Sequence, residues 1–234
     1  MRRFVDLNIR DPGDPRVLTE MLELVSRLGF KGIALSSLRP APETLIDEAS
    51  ALGIDLASRI DLKPRNANEL SKTLRRVRRK FEIVAVLCQN KAMSRQAAKD
   101  HRVDILTFPP LKTGRSRVGL DRQGASLASK SNCVYEVSLS DLLNSGAERA
   151  RVLVNLKRDT WNATHEGVPV VVSSGAGTPL RMREPRAIAS ITSLLGISEK
   201  DGLDAVSETP RRILERNREK LGPGFVSPGV KEVR

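Results

Sequence analysis

Short apolar runs alternate with amphipathic segments along almost the whole chain, and this rhythm limits the fold more than any other feature. Phe4-Val5-Asp6-Leu7-Asn8-Ile9 alternates as a strand does; after a break at Pro12, Gly13 and Pro15, the residues Val17, Leu18, Met21, Leu22 and Val25 recur at helical spacing. Gly29 follows as a helix terminator, and Ile33-Ala34-Leu35 reads as a second, buried strand. The pattern continues with a helix expected over 43–52, a strand over 54–60, a helix over 66–80, and the apolar run Ile83-Val84-Ala85-Val86-Leu87. A short helix near 93–100 leads to a fifth strand over 103–106, which Pro109-Pro110 ends. Residues 112–130 form a glycine- and serine-rich basic loop, with at most a helical turn at 125–129. A sixth strand falls at 134–137. A long helix marked by Ala147, Ala150, Val154 and Trp161 comes next, ended by Gly167, and the seventh strand is Pro169-Val170-Val171-Val172-Ser173. The rest reads as helical, with Ile188, Ile191 and Leu195 on one stripe and Ile213 and Leu214 in a last basic helix.

Strands that alternate with helices and never pair as hairpins imply a parallel sheet covered by helices. Seven such units in one stretch favour an α/β barrel of the TIM type, with about seven parallel strands surrounded by helices. The expected organisation is a single barrel domain over 1–221 and a flexible basic tail over 222–234, where glycine, proline and charge follow no period. Aromatics make up only 3% of the chain, so the core must be filled by Leu, Val, Ile and Ala. No apolar run reaches the roughly 20 residues that span a bilayer, and Asp6 and Asn8 interrupt what would be a secretory signal after Met1-Arg2-Arg3-Phe4. Cys88 and Cys133 lie in apolar runs without CxxC spacing, as reduced core thiols do; the chain is expected in the cytoplasm.

Barrels of this class carry reactive groups at the C-terminal ends of their strands, which points to Asp6, Asn8, Ser36, Ser37, Arg59, Asp61, Gln89, Thr107, Glu136, Ser173 and Ser174. That set is polar but poor in metal ligands. The only two histidines, His101 and His165, fall outside it and read as solvent or helix-cap residues, so neither a Ser-His-Asp set nor an imidazole metal site can be assembled. No catalytic and no metal-ligating residue is expected. Ser173-Ser174-Gly175-Ala176-Gly177-Thr178 lacks the spacing and the lysine of a phosphate-binding loop and reads as a tight turn.

Charge says more. The chain carries 40 Lys and Arg against 28 Asp and Glu, a net charge of +12. From Arg59 to Lys80 nine bases meet two acids, and Leu70, Leu74, Val77 and Phe81 bury one side of that helix, leaving Arg75, Arg76, Arg78 and Arg79 outward. The loop at 112–130 and a final helix bearing Arg211, Arg212, Arg216, Arg218 and Lys220 extend the basic surface, which points to nucleic acid. With one Trp, one Tyr and five Phe, binding is expected to rest on phosphates and shape and not on stacked bases.

Several segments, in order, resemble one family: Phe4-Val5-Asp6-Leu7-Asn8-Ile9, Gly29-Phe30-Lys31-Gly32-Ile33-Ala34, Asp104-Ile105-Leu106-Thr107-Phe108-Pro109, Tyr135-Glu136-Val137 and Val171-Val172-Ser173-Ser174-Gly175-Ala176. Leu180-Arg181-Met182-Arg183-Glu184-Pro185, Leu194-Leu195-Gly196-Ile197 and Thr209-Pro210-Arg211-Arg212-Ile213-Leu214 continue the likeness. The family is ribonuclease P protein component 3. The resemblance implies a barrel related to the polymerase-and-histidinol-phosphatase (PHP) hydrolases, in which a His-x-His pair stands where this chain has Asp6-Leu7-Asn8. It further implies a subunit without independent activity in a ribonucleoprotein that removes the 5′ leader of precursor tRNA. The partners it implies are the catalytic ribonuclease P RNA, precursor tRNA, protein component 2 in a heterotetramer, and other protein subunits; Mg²⁺ would serve the RNA, and no cofactor would be bound by this chain. The alternative is a stand-alone PHP-type metallophosphoesterase. The residues expected to touch RNA are Arg59, Lys112, Arg115, Arg117, Arg181 and Arg183.

Overall fold

A computed structural model of the chain describes residues 2–110, 118–222, 225–227 and 230–231. Seven strands, β1 (Phe4–Arg10), β2 (Phe30–Ser36), β3 (Asp55–Leu62), β4 (Ile83–Leu87), β5 (Ile105–Thr107), β6 (Val134–Ser138) and β7 (Val170–Ser173), pair in sequence order, every pair parallel. The helices between them are α1 (Pro15–Arg27), α2 (Glu43–Ala51), α3 (Ala67–Val77), α4 (Lys91–Ala98), α5 (Arg122–Ser131), α6 (Leu139–Leu143) and α7 (Arg149–His165). After β7 come α8 (Pro185–Leu194), α9 (Glu199–Asp204) and α10 (Glu208–Leu221). Local chemistry sets many of the starts. Asp14, Asn66, Asn90, Asp121 and Ser198 each cap a helix by accepting a backbone N–H of its first turn, and Pro185 opens α8.

Two apolar shells follow from the strand period of two. Outward residues such as Val84 and Val86 pack against helix stripes, Met21, Leu22 and Val25 on α1 and Leu70, Leu74 and Val77 on α3 among them. Inward residues Val5, Leu7, Ala34, Ala57, Ile83, Ala85, Ile105, Val134 and Val171 form a second cluster, and the only helical residues in it are Ile213 and Leu214 of α10. Most of these residues begin their strands, so α10 closes the N-terminal end of the barrel.

Among the described residues β1 and β7 form no ladder with one another; an isolated bridge joins Ile9 to Ala176. Near the top, the Arg10 N–H donates to the Ala176 carbonyl at 2.8 Å. Lower down, Val5 N–H donates to Val206 O (2.9 Å) and Val172 N–H to Ala205 O (3.1 Å), so the turn between α9 and α10 stands in the gap as a short filler strand would. The strand pattern thus reads as expected, and the closure is the part that it does not reveal.

Ion pairs fix α10 in place. Arg218 binds Asp55 through two hydrogen bonds of 2.7 Å and reaches Glu82 at 2.5 Å, both acids standing before or at the start of a strand. Asp104 receives Arg216 (3.1 Å) and, from the end of α3, Arg78 (2.5 Å). Arg2 pairs with Asp204. Three arginines counted toward a nucleic-acid surface, Arg78, Arg216 and Arg218, are therefore engaged within the fold.

Two other local expectations change. The turn at 125–129 is a full helix, α5, capped by Asp121 and ended by Asn132 in the left-handed region (φ 59). On α7, Val154 and Trp161 are exposed (68% and 57%), while Val152, Asp159, Thr160 and Ala163 face inward, so the apolar stripe is reversed. The reason is polar: α7 leans over the open end of the barrel and presents Asn155 and Asp159 to it. In the tail, Phe225–Ser227 and Val230–Lys231 pair as two short antiparallel strands, β8 and β9.

Because Leu214 fills the base of the barrel at 3% exposure, Leu214→Ala should lower the unfolding free energy by about 2–5 kcal/mol. Val154→Ala should change it by less than about 0.5 kcal/mol. Equilibrium urea unfolding of the two variants checks the contrast.

Candidate functional site at the barrel mouth

The C-terminal ends of the strands surround a cavity of about 920 Å³. Its floor is an arginine. Arg59, on β3, is fully buried, and all five of its N–H groups are used: Nη1 donates to Leu7 O (2.7 Å) and Glu136 Oε1 (2.6 Å), Nη2 to Glu136 Oε2 (2.6 Å) and Asp61 Oδ1 (2.7 Å), and Nε to Asp61 Oδ1 (3.3 Å). Burial opposes the guanidinium charge, but the carboxylates of Glu136 and Asp61 outweigh it and hold its pKa above the usual arginine value. Asp61 is lowered in turn: burial pushes it up, and Arg59 more than offsets that, helped by a hydrogen bond from the Ser36 hydroxyl. The expectation that Arg59 touches RNA is corrected here. No N–H group of its side chain remains for a phosphate, and no part of it reaches the surface.

Asp6 belongs to the seam and not to a reactive centre. Its Oδ1 accepts from the backbone N–H groups of Asn8 (3.0 Å) and Ser174 (3.1 Å), tying β1 to the end of β7. Burial raises its pKa to about 6, against those hydrogen bonds. Gly175 follows with φ +60, and a Cβ there would lie 2.6 Å from Ser138 Oγ, so the turn after β7 admits only glycine.

Around the cavity the wall is mixed. Leu87, Phe108, Tyr135 and Leu156 supply apolar surface, with the Phe108 and Tyr135 rings 6.0 Å apart and tilted by 50°. Asn8, Ser138 and Thr107 supply polar atoms. Arg10 meets Asp141 at 3.6 Å; Arg39 and Lys63 are exposed at the rim and form no ion pair among the described residues. Among the described residues no group of three or more His, Cys, Asp or Glu side chains is arranged to hold a metal ion. His101 lies between α4 and β5, at the other end of the barrel, and His165 ends α7, stacked on Trp161 at 4.9 Å.

Arg181 and Arg183 stand, exposed, in the connection from β7 to α8 on this rim. Arg181 Nη1 donates to Asn144 Oδ1 at 2.7 Å, and Arg183 Nη1 to the carbonyls of Leu180 and Met182. Lys112, Arg115 and Arg117 lie outside the described residues, although Pro110 and Val118 on either side of them line the cavity. Of the arginines expected outward, Arg75 and Arg76 on α3 and Arg79 just beyond its end are exposed, on the flank and not at the mouth. Sequence reasoning missed Asn155, Asp159, Phe108 and Tyr135. The polar pair four residues apart on an otherwise weakly amphipathic helix was the available signal for the first two.

These features define a parallel α/β barrel whose mouth is braced by an internal ion pair, on a strongly basic chain. The chain belongs to the RNase P subunit p30 family, whose profile matches residues 3–221. It is similar to ribonuclease P protein component 3 of Methanosarcina mazei, at 29% identity over 223 residues, 94% of this chain and 90% of that protein. It is likewise similar to ribonuclease P protein component 3 of Methanococcoides burtonii, at 28% identity over 231 residues, 98% of this chain and 93% of that protein. A chain in a cryo-EM structure of archaeal ribonuclease P with mature tRNA shares the fold, with a TM-score of 0.81 at 23% identity, covering 97% of this chain and 98% of that one.

Removing Arg59 strands Glu136 in the barrel without its counter-charge. Arg59→Met alone should therefore cost about 3–5 kcal/mol of stability, whereas Arg59→Met combined with Glu136→Leu should recover most of that loss. A double-mutant cycle measured by chemical unfolding checks this, the expected coupling being well above about 1 kcal/mol.

Proposed function

We propose that this chain acts as a non-catalytic protein subunit of ribonuclease P, the ribonucleoprotein endoribonuclease that removes the 5′ leader of precursor tRNA. Its work is to support the fold of the catalytic RNA, in company with protein component 2 and the other protein subunits. Mg²⁺ serves the RNA, and the assembly operates in the cytoplasm. The observation that carries the reading is Arg59. At the end of the barrel where a hydrolase would hold its reactive groups, the central carboxylates are already neutralised by a guanidinium that leaves no coordination position open. The same barrel carries exposed bases that form no ion pair among the described residues: Arg75 and Arg76 on α3, Arg79 just beyond it, and the rim pair Arg181 and Arg183.

Reconstitution tests it. Ribonuclease P RNA with the full set of protein subunits should cleave precursor tRNA faster at limiting Mg²⁺ when this chain is included, and this chain with Mg²⁺ but no RNA should cleave nothing. Equal rates with and without the chain would refute the reading.

Within that reading the rim is the RNA face. Lys112, Arg115 and Arg117 follow the fifth strand in sequence, as Arg181 and Arg183 follow the seventh, so both groups are assigned to it. Arg181→Ala with Arg183→Ala should reduce assembled cleavage at low Mg²⁺ and moderate salt more than Arg75→Ala with Arg76→Ala, while both variants keep their melting temperatures. Charge-assisted contacts of roughly 1.5–3 kcal/mol each set the scale, partly masked by contacts from the other subunits. A larger loss from the α3 pair would move the RNA face to the flank.

A further inference from the structure

The cavity at the barrel mouth holds polar atoms for which the fold has no use. On β1 the register slips: three steps from Asp6 to Ile9 face two steps from Ile33 to Leu35 on β2. A bulge of this kind re-aims a side chain, and Asn8, inside it, lines the cavity. Asn8 is 5% exposed, and its Oδ1 has no hydrogen-bond partner; Ser138, at the end of β6, is 9% exposed, and its Oγ has none either. Unpartnered buried polar atoms are uncommon because each gives up its water without return. Two of them on one cavity mark a ligand.

We propose that the barrel mouth is a nucleotide pocket that takes one unstacked nucleotide of an RNA strand, with the base inside and the backbone phosphate on the rim. The proposal rests on the reading of the chain as an RNA-bound subunit. A volume of about 920 Å³ is within the range of small-molecule sites, roughly 300–1,000 Å³, and accepts a nucleotide. Phe108 is only partly buried and is backed by Tyr135, so its ring offers a face to a base, with Leu156 also lining the cavity. Asn8 Oδ1 accepts an N–H from the edge of the base, and Ser138 Oγ bonds a second atom on that edge. Inside the cavity the cations are already engaged, Arg59 with Glu136 and Asp61 and Arg10 with Asp141, which suits a neutral base and not a buried phosphate. Arg39 and Lys63, exposed and unpaired among the described residues, stand where the phosphate would lie. Unstacked bases in loops and bulges are the parts of RNA that proteins read in this way.

The test uses the full chain, isotopically labelled, titrated with AMP, GMP, CMP and UMP and followed by NMR at the Asn8 side-chain amide and the Phe108 ring. At least one monophosphate should give saturable shifts at these positions. Arg39→Ala with Lys63→Ala should weaken it by about tenfold, and Asn8→Ala by several-fold, with the folded spectrum retained in each case. No saturable shift with any of the four would overturn the pocket, as would inorganic phosphate binding equally well, since the rim would then have no use for a base. A second arm identifies the source. In the reconstituted particle, RNA carrying 4-thiouridine should cross-link to the peptide containing Phe108. A particle that assembles with this chain but gives no such cross-link overturns the RNA assignment while the subunit reading stands; a chain that binds monophosphates yet never assembles with the RNA overturns both the RNA source and the subunit reading.

Discussion

A guanidinium placed inside a barrel must be met by acceptors on every side, because each N–H stripped of water and left unpaired costs more than a hydrogen bond returns. Arg59 is met in this way, by carboxylates from β3 and β6 and a carbonyl from β1. Those three strands are not neighbours in the sheet, so the bonds run through the interior and set how far apart its walls stand. The mouth takes its shape from this brace: the walls cannot collapse onto one another, and a cavity persists above it.

The charge pattern of the molecule follows from the same economy. Acids at the start of β3, just before β4 and just before β5 collect Arg216 and Arg218 of α10 and Arg78 at the end of α3, so these arginines tie the N-terminal end of the barrel together. Exposed cations remain at both ends and on the flank: Arg3, Lys31 and Lys80 beside the strand starts, Arg75 and Arg76 on α3, and Arg39 and Lys63 at the opposite rim. The net charge of +12 is therefore carried in part by arginines locked inside the fold and in part by exposed bases, Arg39 and Lys63 at the open end among them.

The strands were legible because parallel strands buried on both faces read as unbroken apolar runs, as Ile83–Leu87 does. Helix ends were legible where a glycine or a capping side chain marks them, as Gly53 and Asn66 do. What stayed hidden depended on contacts distant in sequence. Arg218 looks the same in a list of bases whether it is solvated or locked to Asp55, 163 residues away. Arg59 looked like the first member of a basic run, and its two partners, Asp61 and Glu136, were each noticed without the pairing being visible. Val154 and Trp161 misled because α7 buries a mixed face, Val152 and Ala163 together with Asp159 and Thr160, and leaves these two large apolar residues outside.

The filler between β1 and β7 has a consequence for how the protein is made. Val5 and Val172 find their backbone partners at Val206 and Ala205, which leave the ribosome some thirty residues after β7 has been synthesised. Until then the lower part of the first strand has no mate along its open edge, and the base of the barrel lacks the helix that plugs it. The order of synthesis therefore leaves the molecule an unclosed sheet for most of its translation, with one exposed edge protected only when the C-terminal turn arrives.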